Sequence, residues 1–195
     1  MAGNEFEILS TILKKRRSVS WAKMNGQLIP DAQINQLLEL AHWAPTHGRT
    51  EPWKFLVYAG EARKTFGKSH ADLYWQHTPE DKRQRATYDK LLHNTDLASH
   101  LVIAIMKRGD NPKIPQIEEV AAASAAIQNI LLGAEALGIS SLWSTGGLTH
   151  SHVLKEHLQL HPDDIVMGLL FLGYTNEPAK DGIRNSPYAE KVDWM

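Results

Sequence analysis

The chain contains no cysteine, which excludes disulfide staples, thiolate zinc sites and a cysteine nucleophile together. It also lacks any run of eighteen or so unbroken apolar residues, the length a membrane span requires. Its first residues, Met-Ala-Gly-Asn-Glu-Phe-Glu, carry no basic stretch followed by a long apolar run, so a cytoplasmic protein is the expectation. An excess of charge of one sign is missing too. Lys and Arg number 21 against 22 Asp and Glu, a formal net charge of −1. No global field would hold such a chain on nucleic acid or an anionic membrane, and small molecules or proteins are the expected partners.

Several motifs are absent as well. There is no G-x-G-x-x-G for a dinucleotide and no G-x-S-x-G elbow for a serine hydrolase. Gly67-Lys68-Ser69 ends like a phosphate-binding P-loop, but Ala62 stands where the upstream glycine is required. His157 and His161 lie four apart, as zinc ligands on a helix would, yet Leu158 replaces the glutamate of a metalloprotease. His150 and His152 have no acidic or cysteine companion nearby. These read as surface histidines, and no metal site is expected.

What is present is periodicity. Phe6, Leu9, Ile12 and Leu13 give residues 4–16 an apolar stripe ending in Lys14-Lys15-Arg16-Arg17, cations placed where a helix dipole favours them. Pro30 and Asp31 open a second helix with Ile34, Leu37, Leu38 and Ala41 on one face. Residues 61–75 and 79–97 read as helices, the latter densely charged and either a solvated face or a lid. The strongest helical signal is 118–137, Ala-rich, apolar nearly all round and closed by Gly138, so another backbone can approach it closely. A shorter helix follows at 151–160. Apolar runs at 53–59, 101–106, 139–143 and 165–174 read as strands. One domain over 1–195 follows, a mixed α+β sandwich with one central sheet. The tail from Asn176 has Tyr188, Val192 and Trp194 without periodicity, which suggests that it lies across another surface, such as a second subunit.

The densest stretch is Ala41 to Phe55. Pro45 forces Ala44 out of helical geometry and Pro52 launches the strand, leaving His47, Gly48, Arg49, Thr50 and Glu51 between two fixed corners. A polar loop held on a scaffold suits ligand binding. Arg49 and Glu51 are expected to pair.

Three pieces survive together: Arg16-Arg17-Ser18, the loop 43–52, and Trp143-Ser144-Thr145-Gly146-Gly147. R-R-S followed about twenty-five residues on by Ala44-Pro45-Thr46-His47 and then Pro52-Trp53, with Gln128-Asn129 and Phe171-Leu172-Gly173-Tyr174 beyond, resembles the FMN-dependent nitroreductase family. The likeness runs from about residue 9 to the tail. It implies a nitroreductase-like α+β sandwich, a central mixed or antiparallel sheet flanked by helices, and a C-terminal tail reaching the partner of a homodimer. It implies FMN as the cofactor, with Arg16, Arg17 and Ser18 on its phosphate, where guanidinium and hydroxyl groups make charge-assisted bonds. Trp43 and His47 would reach the flavin of the other subunit. Trp143, Ser144 and Thr145 would run along the ring, and Arg184, or else Lys180, would add a cation to the phosphate. No catalytic side chain is required, because the flavin carries electrons from NADH or NADPH to a nitroaromatic or quinone in ping-pong order. The alternative is a flavin-binding carrier or regulator with little turnover. A further possibility is a relative that consumes flavin or reduces a dedicated organic substrate. Ser20 stands where family members often have a cation near the flavin pyrimidine, which leaves that cation unassigned.

Overall fold

The apolar runs become four strands of one sheet. In the computed structural model, which describes residues 2–195, these are β1 (Trp53–Ala59), β2 (His100–Met106), β3 (Ser140–Ser144) and β4 (Ile165–Gly173). Their order is β1-β2-β4-β3, and every pairing is antiparallel. β2 and β4 are central and buried on both faces, which is why they read as continuous apolar runs rather than alternating ones.

Side chains alternate across the sheet and sort into two cores. Val102, Ala104 and Met106 pack with α2 (Asp31–His42) and α5 (Gln116–Ala136). Leu101, Ile103 and Ile105 pack on the other face with Phe66 of α3 (Gly60–His77) and Leu154 of α6 (His152–His157). The register between β2 and β4 shifts after Ala104. This bulge puts Val166 and Leu169 on one face although they are three apart, and Met167 and Leu170 on the other. Gly168 sits at the shift because a Cβ there would overlap the Trp143 indole, whose Nε1–H donates to Met167 O at 2.9 Å.

α5 is as apolar as its sequence requires, burying Ala122, Ala123, Ala126, Ile127, Ile130, Leu131 and Ala134. The element that comes close to it within the chain is α2. A Cβ on Gly133 would stand 2.9 Å from Leu37 and 2.6 Å from Leu40. α1 (Ala2–Lys15) leaves Phe6, Leu9 and Leu13 exposed at 73, 51 and 45 %.

The expected helix over 79–97 is divided into a 3-10 turn, Glu80–Lys82, and α4 (Arg85–His93). Arg83 and Gln84 between them are extended. No apolar stripe supports a helix before Leu91, and the intervening groups find partners on α3 and just past its end instead. Arg83 Nε–H donates to Thr78 O at 2.8 Å, and the Gln84 N–H donates to Tyr74 Oη at 3.1 Å. The helix expected over 151–160 ends at His157, and Gln159 takes a left-handed φ of 54°. Among the described residues no helix is long and apolar enough to cross a membrane.

Candidate functional site

The R-R-S turn is held at the β3 edge of the sheet. The Val19 N–H donates to Ser141 O at 2.9 Å, and Ser18 forms a parallel bridge with Ser141. The far end of β3 opens into Thr145-Gly146-Gly147. Between these two segments and α4 lies a cleft of about 460 Å³. Ser18, Ser20 and Trp21 form one wall, Ser144, Gly146 and Gly147 another, and α4 closes it with Thr87, Lys90, Leu91 and Asn94.

The glycine turn is built from buried groups. Thr149 Oγ1–H donates to Gly146 O at 2.6 Å, and the Leu148 N–H donates to His70 Nε2 at 2.9 Å. Gly147 has a φ of +66°, and a Cβ there would stand 2.8 Å from the His70 ring and from Leu91. His70 is 1 % exposed. Burial lowers its pKa from 6.5 to about 4, and the charge of His157 adds to the shift. The imidazole is therefore neutral, with Nε2 accepting and the proton on Nδ1, which is buried without a partner.

Asn94 is 6 % exposed, and its Oδ1 has no partner. Asn94 lines the cleft, but this oxygen is shielded from it, so a ligand would meet the rest of the amide rather than Oδ1. Lys90 is the one cation in the wall. Sequence reasoning missed Thr87, Lys90 and Asn94 because the segment read as a solvated face. Their spacing of three and four is the signal that places them on one side of a helix.

A second, larger cleft of about 500 Å³ shares Ser18 and Ser20 with the first and is bounded by Arg17, Lys23 and the segment Thr175–Asp181. Two of its charged groups are engaged: Lys23 Nζ lies 2.7 Å from Glu177, and Arg17 bonds main-chain carbonyls. The smaller cleft joins Ser18 to the glycine turn, Lys90 and Asn94, and is the candidate ligand site.

The structure divides the residues expected at the site. Ser18 and Ser144 line the smaller cleft. Arg16 is half-buried and lines neither cleft, and Thr145 lies exposed on the turn. The Trp143 side chain faces the α5 core instead, and the residue does not line the cleft. Arg17 points at the tail. Arg184 is exposed, lines neither cleft, and donates only to its own neighbour Ile183 O at 3.1 Å. Trp43, 79 % exposed, and His47 stand near the start of β1, the opposite edge of the sheet. Three strand spacings separate the two edges, roughly 14 Å, so one chain does not bring them to the cleft. His47 Nδ1 meets Glu118 Oε2 at 2.5 Å. The expected Arg49–Glu51 pair is not formed. Both residues have left-handed φ values, 54° and 43°, and Glu51 approaches His42 Nε2 at 3.9 Å.

An antiparallel sheet between two helical layers, with a polar small-molecule cleft at one edge, defines the class. The sequence profile of the Nitroreductase family matches residues 13–174, and the chain belongs to that family. It is 28 % identical over 162 residues, 83 % of this chain and 85 % of the other, to the Escherichia coli (strain K12) protein provisionally named NAD(P)H nitroreductase YdjA. A nitroreductase-like family protein from Bacillus cereus has a crystal structure that superposes with a TM-score of 0.78 at 27 % identity, covering 96 % of this chain and 95 % of that one. The FMN-dependent nitroreductase NfnB from Mycobacterium smegmatis, crystallised in complex with NADPH, shares the fold with a TM-score of 0.75 at 16 % identity, covering 97 % and 98 %. A nitroreductase with bound FMN from Bacteroides fragilis shares it with a TM-score of 0.68 at 22 % identity, covering 96 % and 98 %.

Proposed function

We propose that the protein is an FMN-dependent NAD(P)H oxidoreductase that works as a homodimer. The observation that carries this reading is the cleft itself, where Ser18 and Ser20, the glycine turn, Lys90 and Asn94 converge. Membership of the family and relatives whose names include NAD(P)H or FMN support it.

The residues fit the group. An isoalloxazine carries an N–H and two carbonyls at its pyrimidine end, and the Asn94 amide and Lys90 offer partners for them. Lys90 would be the cation that Ser20 does not supply, stabilising negative charge gained on reduction. Main-chain N–H groups of Thr145 and Gly147 would be the donors offered to the ring edge, the Gly146 N–H being turned to Ser144 Oγ at 3.4 Å. Arg16 and the Ser18 hydroxyl, neither with a side-chain partner among the described residues, are free for the phosphate. The bound group would supply two-electron chemistry, alternating hydride uptake from NADH or NADPH with transfer to a nitroaromatic or quinone. The chain's own work is then to bind, orient and exclude water. Trp43 and His47 complete the pocket from the second subunit. The exposed apolar groups Phe6, Leu40, Trp43, Ile117 and Trp194 supply area for such an interface.

Titrating the apoprotein with FMN tests this reading. One FMN per chain is expected, with riboflavin at least about tenfold weaker because it lacks the phosphate. Failure to take up FMN would contradict it.

A further inference from the structure

The two arginines of the R-R-S turn are used differently. Arg17 Nε–H donates to Lys180 O at 3.2 Å, Nη1–H to Arg16 O at 2.6 Å and Nη2–H to Lys14 O at 2.5 Å. Its fork therefore joins carbonyls at the C-terminal end of α1, where the helix dipole favours a cation, to a carbonyl of the C-terminal segment. Gly182 lies against the same guanidinium, and a Cβ there would overlap it. The segment before it is tied down as well. Thr175 Oγ1–H donates to Lys23 O at 2.6 Å, Asn25 Nδ2–H to Asn176 Oδ1 at 2.9 Å, and Lys23 Nζ pairs with Glu177 at 2.7 Å. Past Gly182 such ties end among the described residues. The bonds there are local, as with Arg184 to Ile183 O.

The geometry points to a division of labour within the turn. Arg16 and Ser18 are left for an anion, whereas Arg17 is a positioning residue that clamps Thr175–Gly182 to the end of α1 and fixes where residues 183–195 leave the fold. The anion half rests on the flavin reading; the clamp half does not. Three of Arg17's five N–H donors are committed to these carbonyls, which fix the orientation of its guanidinium before any anion arrives. A lysine in its place would keep the charge but not the planar fork that reaches three carbonyls.

The absence of native cysteine allows a direct test. A nitroxide on Asp181→Cys reports motion of the clamped segment, and FMN titration of the same proteins reports the anion site. Arg17→Gln and Arg17→Lys should each shorten the label's correlation time by about threefold or more. Their FMN dissociation constants should stay within about threefold of the parent, while Arg16→Gln leaves the label immobile and weakens FMN by about tenfold or more. Arg17→Lys serves if Arg17→Gln does not fold. A label no more mobile in the Arg17 variants than in the parent, or an FMN loss in them as large as in Arg16→Gln, would overturn the assignment. If even the parent takes up no FMN, the flavin reading fails, and the label alone still decides the clamp.

Discussion

Asn94 lines the cleft, while its buried and unpartnered Oδ1 carries a desolvation cost of about 1–3 kcal/mol. Asn94→Ala should therefore weaken FMN by about tenfold while leaving the fold as stable as before, readable by flavin titration beside thermal unfolding. His70 acts in the opposite sense, as a buried acceptor that must stay neutral. The unfolded chain's imidazole binds a proton from near pH 6.5 downward, whereas the folded one resists protonation until about 4. Between those values the unfolded state holds more protons, so stability falls as pH drops through this window. The full loss is ~3 kcal/mol below both values. Denaturant unfolding of the parent and of His70→Gln between pH 7 and 4 checks this, and the variant should lose the titration. None of this was legible in the sequence, where His70 lies in a helix reading and nothing marks it as the acceptor for the Leu148 N–H.

At the scale of elements, the sheet depends on a glycine opposite a tryptophan. Gly168→Ala would push a methyl group into the Trp143 indole at the bulge and should cost ~3 kcal/mol of stability, measured by urea unfolding. Tyr88 ties α4 to α3 through its hydroxyl, which donates to Asp72 Oδ1 at 2.9 Å. Tyr88→Phe should quicken hydrogen exchange in α4 and weaken FMN, because α4 carries Lys90 and Asn94. The strands were legible almost to the residue, since β2 and β4 are buried on both faces and β1 starts directly after Pro52. So were α1, α2 and α5, whose stripes or caps are strong. The charged piece was not. Whether 79–97 is one helix depends on Tyr74 of α3 and Thr78 just past its end taking over the polar groups of Gln84 and Arg83, a tertiary fact that no local pattern carries. For the same reason the cleft's R-R-S and glycine-turn walls could be read from the sequence, but the α4 wall could not.

At the scale of the molecule, the near-neutral charge and the apolar groups left outside point to a second copy rather than to a polyelectrolyte. Trp43→Glu, at 79 % exposure, should leave the chain folded yet shift light scattering from dimer to monomer and weaken FMN, because the cleft would lose the partner's wall. A flavin-loaded monomer in the parent would contradict the shared site. The central claim is electron transfer through a bound flavin, and the visible absorption spectrum of the FMN-loaded protein tests it most directly. Under anaerobic conditions NADPH or NADH should bleach the flavin band, and a quinone added next should restore it. A bound flavin that neither nicotinamide bleaches would contradict the oxidoreductase account.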